Sequence, residues 1–263
     1  MFNSLRTLCL GVALLVAGCA TGLPPAPGHP NGLVLWGIVH GQCVPGEVQH
    51  QDPKPCAVVS LDGGEARGFV VLKDRDGATQ YLLMPSDKIT GIEDPKLLAP
   101  GVTNYFAKAW DQRGLVEDRL GGPVPREDLS VAVNSVYGRS QDQLHLHIDC
   151  LDAGVRAALA ADAPQIGPSW SSGNFVLAGH RYRVRRIDAA ELGQTDPFRL
   201  LADEIPGARR NMGAWTLVLA GETSNGAPGF YLIATRANPA AGEMASGESL
   251  QDHACKGTAS AQR

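Results

Sequence analysis

Short apolar runs broken by turn residues dominate the chain, and two hydrophobic periods alternate along it. Leu33–Val39 (LVLWGIV) is apolar throughout, which fits either a helix or a strand. Gly68–Leu72 (GFVVL) and Gln80–Met84 (QYLLM) are strand-like, and KDRDGAT between them carries an Asp76-Gly77 turn, which predicts a hairpin. Asp94-Pro95 supplies a helix N-cap followed by proline at the first helical position. Phe106, Ala109, Trp110 and Arg113 recur at helical spacing, so one long helix is expected from about Asn104 to Leu120. Leu129–Val133 and Leu144–Ile148 read as a second strand pair, and Ala153–Ala161 as a helix capped by Asp152. After Gly167 the pattern restarts: strands at Phe175–Ala178 and Tyr182–Ile187, a helix after Asp196-Pro197, then strands at Trp215–Ala220 and Phe230–Thr235. Strand pairs separated by helices predict an α+β fold with antiparallel sheets and flanking helices.

The amino terminus does not fit that pattern. Arg6 precedes an apolar run from Leu8 to Ala17 that ends in Val16-Ala17-Gly18-Cys19. The run has the length of a signal-peptide core, and its end resembles the bacterial lipobox, in which the thiol is lipidated after small residues. Residues 1–19 are therefore expected to be a lipoprotein-type signal, with Cys19 the lipidation site. Residues 20–32 follow as a Pro-rich tether without a core face. An ordinary cleaved signal or an uncleaved anchor is the alternative. Either way the rest of the chain is expected in the cell envelope, facing the periplasm, and the lipobox reading holds it at a membrane through lipid on Cys19.

Composition narrows the choices further. A net charge of −4 and no Lys/Arg block argue against nucleic acid as a partner. No apolar run approaches the roughly 20 residues that span a bilayer as a helix. Setting aside Cys9 and Cys19 leaves four cysteines, Cys43, Cys56, Cys150 and Cys255, an even number suited to two disulfides in an oxidising compartment. Three pairings are possible. Cys43 and Cys56 flank a loop with three prolines, which favours Cys43–Cys56 and leaves Cys150–Cys255. The cysteines have no Cys-x-x-Cys spacing, and no metal is expected.

The chemistry concentrates in Asn134–Cys150, NSVYGRSQDQLHLHIDC. Polar and apolar residues alternate strictly from Gln143 to Ile148, so on a strand Gln143, His145 and His147 share one face. A solvent-facing strand would give the same alternation, and His29, His40, His50, His180 and His253 have no comparable partner spacing.

The segment resembles the histidine-triad (HIT) superfamily, whose motif is His-x-His-x-His on a strand after a Gly/Ser-rich loop and an Asn. Gln143 stands at the first position, His145 at the centre and His147 at the third. VVLKD, QYLLMPSDKITGIEDP, NYFAKAWDQR and VAVNSVYGRSQDQLHLHIDC together resemble one family of that superfamily, CDP-diacylglycerol pyrophosphatase, over roughly residues 33 to 151. The resemblance implies hydrolysis of CDP-diacylglycerol to CMP and phosphatidate, without metal or cofactor, through a nucleotide covalently held on His145. It gives His147 and Gln143 to the transferring phosphoryl group, and Asn134, Arg139 and Ser140 to substrate binding. Hydrolysis of another nucleoside diphosphate conjugate, and a non-catalytic lipid-binding lipoprotein, are the competing functions.

Residues 33–165 would then form a HIT-like catalytic half, and residues 166–263 a second half with the tail. A shift of 86 positions sets Leu144-His145-Leu146-His147 against Phe230-Tyr231-Leu232-Ile233, and Tyr81 and Tyr182 precede the two Asp-Pro pairs at similar distances. Two readings stay open: an internal duplication, a pseudo-dimer whose second site is lost, or an unrelated segment with the same order of elements.

Overall fold

The computed structural model describes residues 23–223 and 226–257; the signal segment and Cys19 lie outside them. Ten strands form one antiparallel sheet: β1 (Val58–Ser60), β2 (Phe69–Lys73), β3 (Tyr81–Pro85), β4 (Leu129–Val133), β5 (Leu146–Leu151), β6 (Phe175–Leu177), β7 (His180–Asp188), β8 (Trp215–Glu222), β9 (Gly229–Arg236) and β10 (Gln251–Asp252). Their order is β1-β2-β3-β5-β4-β8-β9-β7-β6, with β10 joining β5 beyond the end of β3. From β2 to β6 the connections read the same from either end. Each side has a hairpin, then helices, then a second strand pair, and the two sides meet where β4 pairs with β8.

Helices cover both faces because the strands are apolar on both. The undecided LVLWGIV run is helical: α1 (Val34–Ile38) passes through a π-helical turn (Val39–Cys43) into α2 (Val44–His50). Val39, Cys43 and Val44 pack on Val70, Leu82 and Met84 of the β2–β3 hairpin. The opposite face carries the main core under α3 (Tyr105–Asp111), α4 (Gly114–Leu120) and, after the short α6 (Ala189–Leu192), α7 (Pro197–Glu204). There Phe106 and Phe198 meet at 5.0 Å, and Trp110 meets Phe230 edge-on at 4.8 Å. On the first face, α5 (Ala153–Asp162) lays Val155 and Leu159 against Val184, Val218 and Ile233.

The helix expected over residues 104–120 is instead two. Asn104 caps α3 by accepting from Ala107 N at 3.0 Å, but the Arg113 guanidinium takes the Trp110 carbonyl at 2.9 Å, and Gly114 follows. A carbonyl taken from the ladder next to a poor helix former separates the turns. Asp94-Pro95 opens a single 3₁₀ turn, Pro95–Leu98, while Asp152 and Asp196 cap α5 and α7. Cys43–Cys56 and Cys150–Cys255 are both formed. No helix among the described residues is long and apolar enough to cross a membrane.

Candidate active site

The alternation read from the sequence holds where it matters. On β5, His147 and Asp149 face one way, while Leu146, Ile148 and Cys150 enter the main core. His145 stands one residue ahead of the strand, its ring 4.9 Å from that of His147 and steeply tilted to it. Both rings are buried.

His145 Nδ1 lies 2.7 Å from the Gln143 carbonyl. A carbonyl only accepts, so Nδ1 carries the ring proton and Nε2 keeps its lone pair. Burial lowers the pKa of His145, opposed by that hydrogen bond and by the charge of Glu248, so the ring is neutral at neutral pH. The Gln143 side chain does something else: its NH2 donates to the carbonyls of Pro85 at 2.9 Å and Asp87 at 3.1 Å. Its donors hold the loop after β3, and its backbone, not its amide, touches His145.

His147 is set by two residues that no local motif marks. Gln80 Nε2 lies 2.5 Å from His147 Nδ1 and donates to Glu248 Oε1 at 3.1 Å. The amide nitrogen is thus the donor in both contacts, which makes Nδ1 an acceptor and puts the proton on Nε2. That Nε2 is buried without a protein hydrogen-bond partner. Burial pushes His147 down to about 3, against the raising charge of Glu248, so it too is neutral. Glu248 Oε1 lies 3.2 Å from His147 Nδ1. Against the upward push of burial, the Asn134 and Gln80 donors hold the Glu248 carboxyl below its usual range.

Asn134 builds the turn that delivers Glu248. Its Nδ2 donates to Glu248 Oε2 at 2.5 Å, and its Oδ1 accepts from Gly247 N at 2.8 Å and Ser246 Oγ at 3.2 Å. The turn lies so close to the sheet that a Cβ on Gly247 would come within 2.7 Å of Thr216 Oγ1, so glycine is required there. Gln251 adds a bond to the His147 carbonyl at 3.1 Å.

Arg139 is spent elsewhere: it forks onto both oxygens of Glu93, at 2.6 and 2.7 Å, and reaches Asp142 at 3.1 Å. Burial alone would lower its pKa; the bonds and charge of Glu93 outweigh it. This ion pair pins the loop ahead of Gln143. Ser140 is exposed on that loop. Farther along β5, the buried Asp149 accepts from Thr79 Oγ1 at 2.6 Å and pairs with His253 Nδ1 at 2.8 Å.

Gln80 lay inside the expected strand QYLLM, and Glu248 is one of few carboxylates in a Gly/Ala/Ser-rich tail. Being polar at a strand start, or anionic in a small-residue tail, is the only local trace either leaves.

The chain matches the CDP-diacylglycerol pyrophosphatase family over residues 30–259. It belongs to that family. A CDP-diacylglycerol pyrophosphatase from Yersinia pestis is 44% identical over 243 residues, covering 92% of each chain. The family match reaches beyond the segment that carries the sequence resemblance, so it takes in Gln80, Asn134, the histidine pair and the Glu248 turn together.

Proposed function

We propose that the chain hydrolyses the pyrophosphate bond of CDP-diacylglycerol, giving CMP and phosphatidate, with His145 as nucleophile. The observation that carries the mechanism is the pair of neutral, buried imidazoles. One has its lone pair free at Nε2, and the other has an N–H without a protein partner. The His145 Nε2 lone pair attacks the phosphorus next to cytidine. The bond from that phosphorus to the bridging oxygen breaks, and phosphatidate leaves with the electron pair. Water then adds to the phosphorus through its oxygen, the P–N bond breaks with its pair returning to Nε2, and the proton lost by that water is released to solvent as CMP departs, which restores the neutral ring.

His147 Nε2–H is the donor for the phosphoryl oxygens, where a preorganised donor in a dry site is worth most. The Gln143 carbonyl and Glu248 stabilise the positive charge that builds on the His145 ring as the P–N bond forms. Asn134 and Gln80 act through Glu248 and His147.

Two further parts of the reading concern architecture and place. The fold is HIT-like and internally duplicated, with 33–165 the working half and 166–263 its counterpart. Strand order supports this, and so does register: Ala132 pairs with His147 as Val218 pairs with Ile233, a constant 86 positions apart. Ala132 and Val218 also pair with each other, as equivalent residues on a two-fold axis must. In this alignment Tyr231 and Ile233 replace the histidines, and Tyr81 corresponds to Arg183, one residue from Tyr182. A structure in which β2–β5 and β6–β9 fail to superpose about that pair would reject duplication. The run ending at Cys19 and the two disulfides support a periplasm-facing lipoprotein. Cys19→Ser should abolish lipid attachment.

The test of the function is a stopped reaction with CDP-diacylglycerol and, in parallel, other nucleoside diphosphate conjugates. A CMP adduct on the His145 peptide and a loss of about a thousandfold or more in His145→Ala are expected. Turnover of the other conjugates alone would move the substrate. An adduct on His147, or no turnover of any conjugate, would overturn the mechanism.

A further inference from the structure

We propose that the outer end of α1, Leu33, Val34 and Trp36 with Lys88 beside them, docks on a lipid bilayer and sets the active-site rim against its surface. The inference rests on the reading that the substrate is a membrane lipid.

Leu33 and Val34 are adjacent in sequence and 58% and 54% exposed, among the largest exposed apolar side chains of the described chain. Lys88 Nζ stands 5.2 Å over the Trp36 ring. Aliphatic side chains beside a tryptophan and a lysine suit the boundary between hydrocarbon and headgroups, where the ring straddles both phases and the ammonium meets phosphate. From Thr7 to Gly46 the sequence contains no Asp, Glu, Lys or Arg, so no fixed charge of this segment resists burial in the headgroup layer.

The patch is tied to the catalytic loop at several points. Tyr137 Oη donates to the Pro24 carbonyl at 2.5 Å, His29 Nδ1 pairs with Asp142 at 2.9 Å, and Asp142 N donates to the Gly32 carbonyl at 2.6 Å. Leu35 N donates to Gln141 Oε1 at 3.1 Å. Residues 24–35 thus strap the loop that leads into Gln143 and His145. Lys88 follows the Pro85–Asp87 carbonyls that hold the Gln143 amide. From the patch the helix continues into Val39, Cys43 and Val44, which pack on Leu82, the cross-strand partner of His147.

Chain geometry brings the membrane to the same side. Three residues lie between Cys19 and Leu23, so the four steps span at most about 14 Å, and the next residue, Pro24, is the one that Tyr137 of the loop bonds. A lipid on Cys19 therefore holds a bilayer close to the strapped loop. Reaction requires His145 Nε2 to come within about 3.5 Å of the phosphorus. Lifting a diacyl lipid out to meet the histidine would expose both acyl chains to water, whereas docking the rim on the bilayer leaves them buried.

The test uses the full chain reconstituted in phosphatidylcholine vesicles containing CDP-diacylglycerol, compared with a short-acyl CDP-diacylglycerol kept below its aggregation concentration. Leu33→Asp/Val34→Asp should raise the vesicle KM, in surface mole fraction, at least tenfold, while kcat/KM for the dissolved substrate stays within twofold of the wild type. Bromine-labelled lipids should quench wild-type tryptophan fluorescence, and Trp36→Phe should remove that quenching. Equal losses on both substrates, an unchanged vesicle KM, or quenching that persists in Trp36→Phe would overturn the proposal. If neither substrate were turned over by the wild type, the functional reading would fail; Trp36-dependent quenching would then still support docking, and its absence would overturn it.

Discussion

Glu248→Gln replaces one carboxylate oxygen with an NH2 in a place where both oxygens accept. Oε2 receives Asn134 Nδ2 and Oε1 receives Gln80 Nε2, so either orientation of the new amide sets a donor against a donor. One charge-assisted hydrogen bond is lost, worth about 1.5–3 kcal/mol. The freed Gln80 amide no longer fixes His147 Nδ1 as an acceptor, and the His147 Nε2–H loses its aim. If that whole amount falls on the transition state, kcat drops about tenfold to a hundredfold. KM should change less than about threefold, because both Glu248 oxygens are taken by Asn134 and Gln80 beside His147. Removing the negative charge also lowers the His145 pKa further, since Glu248 is among the groups raising it. Single-turnover reactions with CDP-diacylglycerol, quenched and assayed for the CMP adduct, should show slower formation on the same residue. Thermal melting in parallel separates chemistry from folding. Gln80→Ala should be partly redundant with Glu248→Gln, the double variant losing less than the product of the two. A kcat within twofold of wild type, or a loss fully matched by the unfolded fraction, would refute the assignment.

Burial lowers the His145 pKa from that of an ordinary histidine and brings His147 to about 3, so the acid limb of kcat/KM should lie below the range of a free imidazole; a limb shifted above that range would contradict a neutral nucleophile. Burial raises Asp196 from 3.8 to about 6, with Oδ2 unpaired, so wild-type stability carries no penalty below pH 4 and loses up to about 3 kcal/mol as pH rises past 6. Asn at 196 keeps the cap to Phe198 N without the charge, so Asp196→Asn should raise Tm at pH 7.5 and not at pH 4; an equal shift at both would refute this. Replacing Cys150 and Cys255 with Ser should lower stability by about 2–5 kcal/mol and also lower kcat, whereas the same change at Cys43 and Cys56 should cost stability with a smaller change in kcat. Equal effects on kcat would sink the distinction.

Local chemistry carried most of the elements. The Asp-Gly hairpin, the caps at Asp152 and Asp196, and the alternation from Leu146 to Ile148 each need only neighbours in sequence, and each appears in the fold, whereas the strand starts after Gln143 and His145 and leaves Gln143 off the shared face. The split of the long helix turned on one arginine bonding back to a carbonyl three residues earlier, which periodicity does not register. The site was legible only as far as it is local. His145 and His147 announce themselves by spacing, but the groups that fix them, Gln80 and Glu248, arrive through strand pairing and a turn 101 residues beyond His147. The family resemblance gives the Gln143 amide and Arg139 to the substrate. In the fold their donors meet Pro85, Asp87, Glu93 and Asp142, partners that only the folded loop supplies.

The turn that carries Glu248 also sets when the enzyme can first exist. A polypeptide is made from its amino end, and β5 with both histidines is complete long before Glu248, Gln251 and Cys255 have been added. Closing contacts across more than a hundred residues is among the late, slow steps of folding. A growing chain therefore carries both histidines before His147 has either its carboxylate or its final hydrogen bonds. The cluster around His147 is complete only when the tail folds back over the sheet, so a chain still being synthesised does not yet contain it.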